Sequence, residues 1–195
     1  MTLNSKEIGF AMTGSFCTFS LIFKELERIV ATGANVTPIF SNAVQHINCR
    51  FGNSNEFYET AKKITGHTPI LTLETAEPIG PKSLLDLLII APCTGNSLAK
   101  LSLAITDSPV LMAAKAHLRN NKPVVIFLST NDGLSMNLKN IGALLNSKNI
   151  YFVPFTQDNP IKKPNSLVSE ASLILETAQL ALESTQLQPI LLPPK

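Results

Sequence analysis

The sequence predicts an α/β fold, an open parallel sheet with helices on both faces, and three observations carry that expectation. Residues Ile8 to Phe40 read strand–turn–helix–strand, one βαβ unit. Leu84 to Ala91 is an almost unbroken run of Leu and Ile, the pattern of a central strand covered on both faces. Strand-like and helix-like segments then continue to alternate as far as Thr185.

The elements follow in order. Ile8 to Met12 is a short apolar run stopped by Thr13-Gly14-Ser15, a buried strand ending in a turn that Gly14 lets turn sharply. From Phe16 onward, Phe19, Ile22, Phe23, Leu26, Ile29 and Val30 recur at three- and four-residue steps, a helix with one apolar face closed by Gly33. Asn35 to Phe40 is β-rich and ends in Ser41-Asn42-Ala43. Asn55 to Thr65 is a helix stopped by Gly66. Residues 67–83, rich in Thr and Pro, read as irregular with a short strand near Ile70-Leu71. Pro92 ends the strand Leu84 to Ala91. Helices are expected over Ser97 to Ala104, Pro109 to Asn120 and Asn137 to Ser147, and strands over Lys122 to Leu128 and Ile150 to Pro154, the last. Leu167, Ala171, Ile174, Leu175, Ala178 and Leu182 give one side of a final helix over Ser166 to Thr185. The chain divides into a single domain, 1–185, and a proline-bearing tail, 186–195.

Composition excludes several function classes. Charged residues are 15% against the roughly 25% of an average domain, beside an ordinary 45% hydrophobic share, so wholesale disorder is excluded. The net charge of +2 comes from 16 scattered basic and 14 acidic residues, which gives no electrostatic case for nucleic acid. Met1 to Glu7 lacks a basic stretch followed by an apolar one, against a secretory signal. The run Leu84 to Pro92 is broken by Asp86 and far short of the ~20 residues that cross a bilayer, so no membrane partner is expected. Cys17, Cys49 and Cys93 form no CxxC, which fits a reducing cytosol, and a soluble cytoplasmic protein is the expectation. His46, His67 and His117 lack ligand spacing and read as surface or capping residues, so no metal site is expected.

In an open parallel sheet, ligands sit beyond the carboxyl ends of the strands. The polar turns fall there: Thr13-Gly14-Ser15, Ser41-Asn42, Pro92 to Ser97 and Ser129 to Gly133. The Thr13 and Ser15 hydroxyls, and Thr94, Gly95, Asn96 and Ser97 at a second helix start, suit a phosphate and the polar edge of a ring. The same residue types are the usual helix caps, so each turn alone reads first as a cap; four on one edge bring the ligand-site reading level with it. There is no GxGxxG and no GxxxxGK[ST]. Cys93 reads as a small packing residue before it reads as a nucleophile. Asp107 reads as a helix cap before it reads as a partner across a subunit contact. Gln157 to Ser166 reads as a solvated loop, with the alternative of a lid that presents Gln157, Asn159 and a lysine to an anion.

Met12 to Ser15, Ser41 and Ala91 to Lys100 together resemble the FMN-binding flavoproteins that include the cysteine decarboxylases and flavin prenyltransferases. The resemblance runs over residues 7–185. It implies a Rossmann-like fold, bound FMN and trimer-based homo-oligomers. Within the family, the stretches Ala91 to Lys100, Thr106 to Lys115, Ser129 to Gly133 and Gln157 to Leu167 resemble a branch that works with a second, NAD(P)-binding subunit. The resemblance implies that the two subunits together would oxidise a dihydrodipicolinate-type precursor to pyridine-2,6-dicarboxylate, the acid stored in bacterial endospores. Carried over, Thr13, Gly14 and Ser15 would hold the phosphate side of FMN, Ser41 the phosphate or ribityl chain, and Thr94, Gly95, Asn96 and Ser97 the ribityl chain and ring edge. Lys162 or Lys163, with Asn131 and Gln157, would pair with the carboxylates of a small dicarboxylate substrate. The departures are specific. Pro78 stands where family decarboxylases carry a histidine, Ser129 to Gly133 replaces their methionine-rich motif, Thr130 replaces a phosphate-gripping arginine of the prenyltransferases, and Gln157 replaces their tyrosine. These losses argue against decarboxylation or prenyl transfer by this chain alone, identify no catalytic residue, and keep open a non-catalytic scaffold that activates the partner subunit.

Overall fold

The computed structural model describes residues 2–193. Seven strands form one mixed sheet in the order β2-β1-β3-β4-β7-β6, with β5 paired to β4 off that path. Strands β1 (Glu7–Met12), β2 (Asn35–Phe40), β3 (Leu87–Cys93), β4 (Val124–Thr130) and β5 (Ile150–Phe152) are parallel, as expected. β1 lies between β2 and β3, so the chain reverses its direction of travel across the sheet there; this is the switch point where such sheets bind ligands.

Alternation along the strands explains the layers. Ile8, Phe10 and Met12 of β1, Leu87 and Ile89 of β3, and Val125 and Phe127 of β4 face one core, with α1 (Phe19–Val30), α3 (Ser54–Thr65) and α8 (Ile174–Leu182). Ala11, Leu88, Ile90, Val124, Ile126 and Leu128 face the other, with α6 (Pro109–Leu118) and α7 (Leu138–Leu145). Every residue of β3 and β4 is buried, which is why they read as continuous apolar runs. The helix read from Asn55 starts one residue earlier: Asn53 accepts from the Glu56 N–H, the Glu56 carboxylate accepts from the Asn53 N–H, and Gly66 closes the last turn at φ +74°.

Several expectations are corrected. Pro92 does not end β3, which runs through it to Cys93 with a register shift against β4. Residues 67–83 contain a short helix, α4 (Leu73–Ala76), and a 3-10 turn over Glu77–Ile79; the strand near Ile70 is a single parallel bridge to Ile39. A further short helix, α2 (Asn42–His46), follows Ser41, and α5 (Gly95–Ser102) begins two residues before the expected start. Ile150 to Phe152 is not the last strand. β6 (Phe155–Asn159) and β7 (Lys163–Ser169) form an antiparallel hairpin, and β7 pairs with the end of β4 through Ser129–Val168 and Thr130–Leu167. Ser166 to Ser169 is therefore strand, and α8 covers only part of the final helix expected. Ser169 decides this: its Oγ donates to the Val153 carbonyl and accepts from the Leu128 N–H, which stitches β7 to β4. His117 is buried rather than superficial, with Nε2 2.9 Å from the Pro123 carbonyl. The tail docks on β6 as far as Pro193; Pro194 and Lys195 lie outside the described residues. No helix of the described residues is long and apolar enough to cross a membrane.

Candidate functional site

The turns after β1, β2 and β3 converge on a cavity of about 320 Å3. Gly14, Ser41, Asn42, Thr94, Asn96 and Ser97 line it, and Lys100, Asp107, Ser108 and Leu111 complete the wall. Five of the eight residues read as cofactor-binding are thus brought to one hollow. Gly14 does not take a positive φ; its value is space, since a Cβ there would lie 3.1 Å from the Ala43 Cβ. Thr94 caps α5 by accepting the Ser97 N–H at 3.2 Å, and its hydroxyl donates to Ser97 Oγ at 3.1 Å. Ser41 precedes α2 without capping it, and its Oγ is buried with no hydrogen-bond partner. An unpartnered buried hydroxyl is costly, and this one belongs to a residue of the cavity wall.

The other three sit behind the lining. Thr13 is 1% exposed; its Oγ donates to the Pro92 carbonyl at 2.7 Å and accepts from the Thr94 N–H at 2.9 Å. It clamps the β1 turn to the β3 turn and has no hydroxyl left for a phosphate. Ser15 turns toward β4, with its Oγ 2.6 Å from Ser129 Oγ. Gly95 faces the end of β4, where a Cβ would strike Thr130 Oγ1, Asn137 Nδ2 and Asp132 Oδ1.

That contact explains the Ser129 to Gly133 turn. Thr130 Oγ1 donates to Asp132 Oδ1 at 2.5 Å, and Asn137 Nδ2 donates to both carboxylate oxygens. The Thr130 hydroxyl and then the Asn137 amide hold the Asp132 carboxyl below its ordinary range, against some desolvation. Asn140 bridges onward from Asn137 to Ser102, so one polar chain ties β4 to α7 and α5. Asn131, within this turn, shares a second pocket of about 360 Å3 with Lys163, Pro164, Asn165 and Ser166. Of the four residues read as substrate-binding, Asn131 and Lys163 meet there. Gln157 donates to the Pro164 carbonyl and lines a separate apolar groove, and Lys162 stands at the exposed hairpin tip. Lys163 pairs with Asp158 at 2.6 Å, which raises its pKa.

Lys100, Asp107 and Ser108 are polar lining residues that sequence reasoning did not assign to the site. Asp107 does not cap α6; Ser108 does, accepting the Leu111 N–H, while Asp107 pairs with Lys100 at 2.5 Å. Cys93 is buried, and desolvation pushes its thiol up to about 12, so it is a packing residue. No group of three or more His, Cys, Asp and Glu among the described residues could hold a metal ion.

The chain as a whole is similar to known proteins. The B-type subunit of dipicolinate synthase from Bacillus subtilis (strain 168) is 50% identical over 190 residues, 97% of this chain and 95% of that protein. The crystal structure of the B-type dipicolinate synthase subunit from Bacillus halodurans superposes with a TM-score of 0.92 at 48% identity, each chain covered completely. The FMN-dependent cysteine decarboxylase SpaF has the same fold at a TM-score of 0.63 and 17% identity, over 92% of this chain and 97% of that one. The family model described as Flavoprotein matches residues 1–177. A hydroxyl-lined cavity at the switch point of such a sheet, and a match along nearly the whole chain, make this protein a member of the Flavoprotein family.

Proposed function

We propose that this chain is the flavoprotein-like subunit of a dipicolinate synthase. It holds FMN in the cavity beyond β1, β2 and β3. It acts with a nicotinamide-binding partner, the A-type dipicolinate synthase subunit carrying NAD(P), to oxidise a dihydrodipicolinate-type precursor to dipicolinate during spore formation. It works in the cytoplasm as a trimer-based homo-oligomer. The observation that carries this reading is the unpartnered Ser41 hydroxyl, buried in the wall of a cavity whose other polar groups are mostly short hydroxyls and amides. Two relatives at 48 and 50% identity bear the name of that synthase.

The residues fit such a ligand. Bound FMN supplies reversible hydride chemistry, and the protein supplies position and electrostatics. Ser41, Asn96 and Ser97 offer donors to a phosphorylated polyhydroxyl arm, and Gly14 keeps their approach open. Thr13 positions Thr94 from behind the lining. Asn131 and Lys163, on the second pocket, orient a carboxylate of the substrate. FMN added to the purified protein should show quenched fluorescence and shifted visible bands, and flavin should be required when dipicolinate formation is reconstituted with the nicotinamide-binding partner. Full synthase activity without bound flavin would overturn the reading.

One observation favours a scaffold role instead: the two ionisable side chains lining the cavity, Lys100 and Asp107, neutralise each other and leave no acid or base poised there. Gly14→Val and Asn96→Ala separate the readings, since a scaffold keeps pathway flux after flavin binding is lost.

A further inference from the structure

We propose that Lys100 is the cation that takes the phosphoryl group of the cavity's ligand and that Asp107 is the counter-ion it leaves to do so. The site then binds a phosphorylated flavin by ion exchange. The inference rests on the flavin reading of the cavity and adds how that cavity tells a phosphorylated flavin from an unphosphorylated one.

A phosphate monoester brings nearly two negative charges, and enclosing it requires charge-assisted donors. Among the described residues that line the cavity, Lys100 is the one cation and Asp107 the one anion. Thr130, at the position where the resemblance puts an arginine, donates its hydroxyl to Asp132 and cannot neutralise an anion. The Lys100–Asp107 pair bridges two walls, α5 and the connection that leads into α6. Asp107 is free of capping duty, because Ser108 caps α6. Ser41 is the second, independent sign of a ligand: it is 7% exposed, and its Oγ has no partner. The ion pair itself is partly open to solvent, with Lys100 31% and Asp107 49% exposed, so it is weakly held. A dianion at the same distance attracts the ammonium more strongly than one carboxylate does, and the flexible four-carbon stem lets Lys100 change partners.

The test is a pair of flavin titrations, FMN and riboflavin, on the full chain and on Lys100→Met and Asp107→Asn, with thermal midpoints to confirm folding. The wild type should bind FMN about tenfold tighter than riboflavin, a preference of the size one charge-assisted contact provides. Lys100→Met should bring the two affinities together at an unchanged riboflavin Kd, and Asp107→Asn should widen the preference several-fold. An unchanged preference in Lys100→Met overturns the inference. If neither flavin binds the wild type, the flavin reading fails, and inorganic phosphate judges the ion exchange. A thermal midpoint raised by phosphate over chloride at equal ionic strength, more in Asp107→Asn and not in Lys100→Met, supports it. Absence of that dependence on Lys100 overturns it.

Discussion

A buried hydroxyl without a partner costs a folded chain about 1–3 kcal/mol, and Ser41 carries that cost in the cavity wall. Ser41→Ala should therefore raise stability by up to about 1 kcal/mol in urea unfolding while it weakens FMN binding, opposite signs that a purely structural serine would not give. The cysteines separate by environment. Cys17 is exposed and Cys93 is buried with its thiol pushed up to about 12, so iodoacetamide at pH 8 should label Cys17 and spare Cys93 until the chain unfolds, as read by peptide mass spectrometry. His117 makes stability pH-dependent. Burial lowers its pKa from 6.5 to about 4, against the opposing hydrogen bond to the Pro123 carbonyl, so the folded protein holds the neutral ring. The unfolded chain binds the extra proton between those values. The stabilisation is complete above pH 6.5, is lost as pH falls toward 4, and is on the order of 3 kcal/mol. His117→Gln should flatten that part of the pH–stability profile in denaturant titrations.

The start of α5 is the element on which the site depends. Thr94 caps it, Thr13 fixes the cap, and Gly95 packs its backbone against the Thr130–Asp132–Asn137 cluster. A Cβ at Gly95 would approach Asn137 Nδ2 at 2.6 Å and Asp132 Oδ1 at 2.8 Å, closer than packed atoms allow. Gly95→Ala should cost roughly 1–3 kcal/mol of stability and also weaken flavin binding, because the lining residues Thr94 and Asn96 move with the turn. Urea unfolding and flavin titration on one preparation check both effects. The sequence places this polar turn at a strand end, and the structure puts Thr94, Asn96 and Ser97 on the cavity wall. The division within it was not, because which of Thr94, Gly95 and Asn96 faces the cavity depends on a cluster more than 30 residues further along the chain.

Across the whole molecule, the sheet ends at β6, and the tail closes that edge. The Phe155 N–H donates to the Ile190 carbonyl at 3.0 Å, the Leu192 N–H donates to the Phe155 carbonyl at 2.9 Å, and Thr156 Oγ1 donates to the Pro193 carbonyl at 2.9 Å. An uncovered edge strand invites pairing with other chains. Truncation after Gln188 should speed hydrogen exchange at the Phe155 amide by orders of magnitude and produce concentration-dependent association in light scattering, while the amides of β1 and β3 stay protected.

The sequence by itself determined the parallel sheet, because β1, β3 and β4 are buried on both faces and had to be written as apolar runs, and it determined the rim of hydroxyls and glycines, because strand ends need turn residues. The hairpin was hidden. Leu167, Ala171, Ile174 and Ala178 keep helical spacing across a strand, a 3-10 turn and a helix, and only antiparallel pairing with β4 makes Leu167 a strand residue. Tertiary structure alone decided that Thr13 supports the rim from behind, that Ser41 is left without a partner, and that Lys100 meets Asp107 in the cavity wall. Each of these depends on how the turns at the strand ends and the helices over the sheet are brought together, which residue type and periodicity do not encode.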